Sequence, residues 1–407
     1  MLSLLLIFFI FLGILPLSTN IFGKEFFPSF PFLFAPFLLM TLFLMGKKMK
    51  KTRHFALENI LFFLVIIIFL ISLLISKDPL RGGYVVFYFI IAFFLRYALL
   101  SFAPPKRYLS RVYILLSLIP VFLVCTSIFY SFRQGVSLYQ SVMTRNIVTS
   151  LGKSNALATY LLGVAPVLLG IFFMKANKSY FISILSFIGF TFCIFGIVMT
   201  SSRGGTISFL FGIVLFFVLS IREIKRNKIL FLFASIAFLI FLLYKTGLFT
   251  ELYFRSQSMF ISINWYIRLD MWRVAKEMFV GSPLIGRGLG SYEFFYSIFG
   301  NFYFSGMRVT NPHSLLFELL SETGILGTST FLALILLLLS NSFKRISCLK
   351  QRISVGFGTI AGCLAVLLHS MAEPTIFSQS GMTFLLFLLS FNEFMYIMEK
   401  GRIGNSL

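Results

Sequence analysis

Aspartate is nearly missing from this sequence: Asp78 and Asp270 are the only two in 407 residues. No Asp-x-Asp pair is therefore present to hold a divalent metal against a diphosphate, which disfavours metal-assisted transfer. Charge of any kind is scarce, at 12% of residues against 58% hydrophobic and a mean hydropathy of +0.96. A soluble chain of this length needs polar residues to cover its outside, so a water-soluble fold is excluded. Cysteine is limited to four positions. Cys125, Cys193 and Cys363 fall within apolar windows and Cys348 in a basic connection, with no zinc-like spacing, so all four read as packing residues.

What the chain does have is a long series of apolar windows, each near the roughly 20 residues that cross a hydrocarbon core. They cover 2–17, 30–45, 58–76, 83–100, 112–131, 155–174, 180–200, 205–221, 228–244, 324–340, 354–372 and 381–398. The first has neither a basic leader nor a small-residue cleavage site, so it reads as a span rather than a signal peptide. The net charge of +22 needs no nucleic acid to explain it. Basic residues gather in alternate connections, as cytoplasmic loops do. They include Lys47, Lys48, Lys50, Lys51 and Arg53, then Arg96, Lys106, Arg107 and Arg111, then Lys175 and Lys178. Arg222, Lys225, Arg226 and Lys228 follow, then Lys344, Arg345, Lys350 and Arg352, and finally Lys400 and Arg402. His54 sits in the first basic group and reads as ordinary surface.

The expected fold class is all-α: a polytopic membrane protein with about 12 transmembrane helices and both termini cytoplasmic. Residues 1–244 form helices one to nine, 245–323 a long, partly helical loop on the outward side, and 324–407 the last three helices and tail. Loops this long in a compact protein usually carry function. Trp265, Arg268, Leu269, Trp272 and Phe279 approximate one face of an amphipathic helix ended by Gly281 and Pro283, suited to the membrane surface. Asp270, Arg273 and Glu277 form a charge ladder on it, which gives Arg273 a structural role of its own. The Gly286-Arg287-Gly288-Leu289-Gly290 run lacks the βαβ context of a dinucleotide fingerprint. Ser291 then reads as the N-cap of a short helix ending near Gly300.

Three places could carry chemistry, each with a plainer alternative. In Asn311-Pro312-His313-Ser314, Asn311 suits an N-cap and Pro312 the first helical position. His313 then falls in the first turn, where the helix dipole favours neutral imidazole; it is either a general base or a capping-region histidine. Arg203, in Thr200-Ser201-Ser202-Arg203-Gly204-Gly205, either binds a polar ligand that the glycines let approach or snorkels to the membrane edge. His369 and Glu373, spaced i, i+4, are either functional or simply paired. The outward side further offers Arg255, Arg268, Arg273, Arg287 and Arg308, with Glu318 as a possible supporting carboxylate. Arginine can grip a diphosphate bidentately without a metal, and a neutral histidine can deprotonate a hydroxyl. Together these point to group transfer from a lipid diphosphate.

These residues resemble a known family. His313-Ser314, nine residues, then Gly324-Ile325-Leu326-Gly327 is similar to the motif of bacterial O-antigen ligases. Ser202-Arg203-Gly204 resembles the serine-arginine turn of the O-antigen ligase and polymerase superfamily. Arg268-Leu269-Asp270-Met271-Trp272, with Pro283 and the glycine run, resembles its long periplasmic loop, and Lys153-Ser154-Asn155 its entry segment. The resemblance implies a multi-pass inner-membrane glycosyltransferase that needs no metal or other cofactor. Its donor would be an undecaprenyl-diphosphate-linked glycan and its acceptor lipid A-core or another glycan, in contact with membrane lipids. His313 would be the base, with Arg203 and Arg268 holding the diphosphate and Arg273, Arg287, Arg308, Glu318, His369 and Glu373 as possible support. The ligase reading leads; a polymerase and a protein O-oligosaccharyltransferase are the alternatives. A membrane transporter is the rival of another class, but no internal repeat is visible and polar chemistry gathers on one face rather than at the midplane.

Overall fold

The computed structural model describes residues 56–101, 108–133, 154–174, 179–224, 263–301, 309–377 and 379–400. The described residues contain helices and turns, and no strand among them. This is the expected all-α class, and lipid is the reason. A spanning segment must satisfy its backbone internally, which a helix does.

The helices are α1 (Ala56–Leu74), α2 (Pro79–Ser101), α3 (Leu109–Arg133), α4 (Ser154–Phe173), α5 (Tyr180–Thr200) and α6 (Arg203–Ser220). After them come α7 (Ile263–Gly281), α8 (Tyr292–Phe299), α9 (Leu315–Ile346), α10 (Ile353–Ser370) and α11 (Gln379–Lys400). Among the described residues nine helices are long and apolar enough to cross a membrane, namely α1–α6 and α9–α11. Each answers to one of the expected windows. The windows at 2–17, 30–45 and 228–244 lie outside the described residues.

The chain forms two compact units. One gathers α3 to α6 and α10. Its centre is α4, buried at every residue from Leu157 to Phe173. Small residues allow that: a Cβ at Gly358 or Gly362 of α10 would meet the backbone at Pro166 and Gly163. Four-residue spacing of glycines is how helices approach closely in lipid, where no hydrophobic effect pulls them together. Ser354 Oγ donates to the Gly170 carbonyl at 2.8 Å along the same seam.

The other unit gathers α1, α2, α8, α11 and most of α7 and α9. Phenylalanine rings pack through its interior: Phe62 stacks on Phe89 at 4.8 Å and Phe69 on Phe331 at 6.5 Å, while Phe331 meets Phe377 at a tilt at 6.3 Å. A buried charge cluster joins three helices. Arg96 of α2 donates to Glu58 of α1 and, at 3.4 Å, to Glu393 of α11. Asn341 of α9 donates to the second Glu58 oxygen. This corrects the assignment of Arg96 to a cytoplasmic loop: it is 3% exposed inside a span. Burying that charge is tolerable only because it is paired. The cysteine reading is also corrected in part. Cys193 and Cys363 are buried, but Cys125 and Cys348 are exposed, and all four are free thiols.

The expected span 324–340 begins inside a longer helix. α9 runs from Leu315 but breaks at Gly324, where φ is 65° and ψ is −167°. That backbone region is essentially reserved for glycine. The break frees backbone groups, and residues 283–288 occupy them. Ile325 N–H donates to the Pro283 carbonyl at 2.9 Å and Leu326 N–H to Leu284 at 3.2 Å. In return Arg287 N–H donates to Ser321 at 2.9 Å and Gly288 N–H to Glu322 at 3.0 Å. The glycine run thus has a mechanical role. Added Cβ atoms at Gly286, Gly288 and Gly290 would collide with the backbone at Glu322, Ser76 and Gly82. Gly324→Ala is expected to destabilise by about 1–3 kcal/mol from backbone strain alone, and further because its Cβ meets the Leu284 carbonyl. Gly83→Ala, whose Cβ meets nothing, is expected to be neutral or slightly stabilising. Unfolding of the full chain in mixed micelles, compared for the two variants, checks this.

Candidate functional site

The α7 sequence makes a helix that ends at Gly281, as its spacing predicts, but a different face is buried. Ile267, Asp270, Met271, Val274, Ala275 and Met278 point inward, whereas Leu269 is 43% exposed. The aromatic stripe was misread because a carboxylate shares the inward face. Asp270 accepts from Tyr296 Oη and Asn301 N–H at 3.0 Å each and from Arg273 at 2.8 Å. Arg273 also donates to Glu277 at 2.6 Å, completing the ladder, and to the Phe299 carbonyl.

The loop beyond α7 is pinned by Glu322. Its two oxygens accept from Gly290 N–H at 2.9 Å and Tyr292 N–H at 3.0 Å. Ser291 stands at the N-cap position of α8, but its side chain makes no cap bond. Its hydroxyl instead accepts from Lys77 N–H at 2.8 Å. A carboxylate from α9 does the capping, favoured by the partial positive charge at a helix start.

His313 is not in the first turn of a helix. α9 starts at Leu315, and His313 precedes it with φ of 49°. Asn311 caps a turn rather than the helix: its side-chain oxygen accepts from His313 N–H at 3.0 Å. Asparagine and proline suit both arrangements, which is why the residues alone misled. Trp272 steadies the turn from α7, donating its indole N–H to the Pro312 carbonyl at 3.0 Å while stacking on Phe317 at 5.5 Å.

The turn delivers His313 to a carboxylate. His313 Nδ1 lies 2.9 Å from Glu373 Oε2, and Arg268 donates to the other oxygen, Oε1, at 2.6 Å. A second Arg268 nitrogen donates to the Ala372 carbonyl at 2.9 Å. Glu373 does not share a helix face with His369, because α10 ends at Ser370. It sits in the turn beyond, with 14% of its side chain exposed against 36% for His313 and 29% for Arg268. The three form a half-open constellation. Glu373 accepts from Nδ1–H in the tautomer this network favours, leaving Nε2 as a free acceptor.

Residues 188–332 match the family described as O-antigen ligase. Over that segment the chain is similar to the O-antigen ligase and polymerase superfamily. Among curated proteins, none matches the chain. The ligase-like segment holds Arg203, Arg268, His313, Gly324 and Gly327, whereas Glu373 lies beyond its end. The match supports membrane glycosyltransferase activity of the O-antigen ligase type.

The other residues singled out have these places. Arg203 belongs to the unit of α3 to α6 and α10, where it opens α6; Ser202 caps that helix by accepting from Gly205 N–H at 3.2 Å, and Ser201 is left-handed at φ 47°. His369 is fully buried in that unit. Arg287 is exposed and lies over the Phe295 ring at 5.8 Å. Glu318 is buried in the first turn of α9. Arg255 and Arg308 lie outside the described residues. Sequence reasoning missed Glu322 as a cap and Trp272 as a brace; no local spacing announces either.

Burial opposes ionisation of Asp270, but the Asn301 N–H, the Arg273 guanidinium and the Tyr296 hydroxyl outweigh it and hold the group below the ordinary carboxylate range. The stabilisation is therefore complete above the unfolded value of about 3.9 and is lost as pH falls through the lowered folded value. Hydrogen exchange along 270–301, taken relative to the intrinsic amide rate at each pH, should rise at acid pH in the native protein. In Asp270→Asn it should be raised at neutral pH and lack that acid step.

Proposed function

We propose that the chain transfers an undecaprenyl-diphosphate-linked glycan to an acceptor hydroxyl at the periplasmic face of the inner membrane, as an O-antigen ligase acting on lipid A-core. The observation that carries this is the His313–Glu373 contact with Arg268 on the opposite carboxylate oxygen. An arginine that fixes a carboxylate, which in turn fixes a histidine, is the arrangement that a directed general base needs.

In this reading Glu373 holds His313 so that Nε2 faces the acceptor. The acceptor hydroxyl gives its proton to Nε2 as its oxygen bonds to the anomeric carbon. The bond from that carbon to the diphosphate breaks, and undecaprenyl diphosphate leaves with the electron pair. Arg268 has five N–H donors in its fork and spends two on Ala372 and Glu373, so donors remain for a phosphate oxygen. Arg203 is the second proposed diphosphate ligand. This rests on the likeness of Ser202-Arg203-Gly204 to the superfamily's serine-arginine turn and on the bidentate grip that a guanidinium offers a phosphate. The loop 245–323 is the catalytic segment of this scheme, with the termini cytoplasmic.

His313→Ala in the purified full chain should lower kcat for lipid-linked glycan transfer by about 10²–10⁴-fold. Glu373→Gln should lower kcat more than it changes KM. Wild-type turnover in the histidine variant would sink the base assignment. The acceptor is tested by the glycans of a deletion strain. Long polymer left unattached supports the ligase reading, whereas single repeats attached to lipid A-core would mark a polymerase instead.

A further inference from the structure

We propose that residues 283–285 form a wedge that dips into the bilayer at the His313 end of the spans, with phospholipid as its partner and Arg287 at headgroup depth. The position of the membrane boundary comes first. From Ile325 to Ile346, α9 is about 33 Å long at 1.5 Å per residue, close to the roughly 30 Å of a hydrocarbon core. Ile325 and Leu326 therefore occupy the outermost turn of that span. Both face outward, at 50% and 46% exposure.

The loop is tied to this same turn. The Pro283 and Leu284 carbonyls accept from Ile325 and Leu326 N–H, so the loop cannot float above the membrane while α9 stays in it. Leu284 and Ile285 are 63% and 39% exposed, and with Ile325 and Leu326 they make one apolar surface. Leu74 and Leu80, at the α1–α2 turn against which the glycine run packs, extend it at 86% and 71% exposure. No charge interrupts Ser282 to Gly286.

Backbone chemistry gives a second, independent argument. Irregular backbone is tolerated at membrane depth only where its polar groups are satisfied within the protein. Here Gly286 N–H donates to Ser282, Arg287 N–H to Ser321 and Gly288 N–H to Glu322, at 2.9, 2.9 and 3.0 Å. Pro283 has no N–H to satisfy. Most of the loop's polar backbone is thus turned to the protein: the Pro283 and Leu284 carbonyls and the N–H groups of residues 286–288. Arg287 follows immediately, exposed and braced on Phe295, which suits a guanidinium held level with lipid phosphates.

The test uses the full chain in phosphatidylethanolamine–phosphatidylglycerol vesicles, with and without brominated acyl chains. Ile285→Trp and Leu284→Trp are read as the fluorescence added over the native protein, and Lys276→Trp, on an exposed position of α7, is the aqueous control. The wedge requires the added emission to be blue-shifted and quenched by brominated lipid at least about twofold more than the control. Quenching by iodide but not by bromolipid would overturn the proposal, as would protection from both. A transfer assay separates this from the catalytic reading on which only that assay rests. Ile285→Asp should slow transfer from a full-length polyprenyl donor while sparing a short-chain one. A negative transfer result beside positive lipid quenching would count against the transferase reading and leave the wedge standing.

Discussion

A helix that breaks at a membrane boundary exposes amide and carbonyl groups that lipid cannot satisfy, and this constraint organises the unit around His313. The break at Gly324 is repaired by the strand of loop that runs from Pro283 to Gly288. That repair fixes where the glycine run lies, and so where Glu322 can reach Gly290 and Tyr292. α8 then begins where Glu322 caps it, and Tyr296 on α8 meets Asp270 on α7. From the same α7, Trp272 and Arg268 reach the His313 turn and Glu373. Each contact is ordinary in strength; the order in which one makes the next possible is what gives the unit its shape.

The electrostatics follow a similar economy. With 13 carboxylates against 35 lysines and arginines, acidic side chains are scarce, and several of them are structurally committed. Asp270 gathers three donors, Glu322 caps a helix, and Glu58 and Glu393 face one arginine. Glu373 stands apart because it is only partly buried and its partners include a titratable ring. A carboxylate shared between a permanent cation and an imidazole holds both in place whatever the charge on the ring.

The spans were legible because lipid imposes a length and a composition that leave few choices. The end of α7 at Gly281 was legible too, since glycine stops helices for local reasons; the start of α8 after Ser291 was placed correctly but for the wrong cause, because Glu322 rather than Ser291 caps it. The rest needed partners far along the chain. Asn311 and Pro312 fit a helix cap and a turn equally well, and only Trp272 and Glu373 decide between them. Glu373 could be matched to its i−4 neighbour His369 but not to His313, 60 residues away. Arg96 looked like a loop cation because its two carboxylates lie 38 and 297 positions distant. The glycine run had no readable purpose until a broken helix was seen to need it.

The buried cluster at the opposite end of that unit has a consequence for how the protein is made. Glu58 and Arg96 belong to consecutive spans, so the pair can form once α1 and α2 have both entered the membrane, and two costly charges shelter each other early. Glu393 is synthesised only after nearly all the remaining chain. Until it arrives, the polar patch on α1 and α2 is incomplete, and it presents a specific docking place for α11. The final helix thus finds its position by a recognition that no amount of apolar surface could supply, and its docking also brings the Glu373 turn, just upstream of it, into reach of His313.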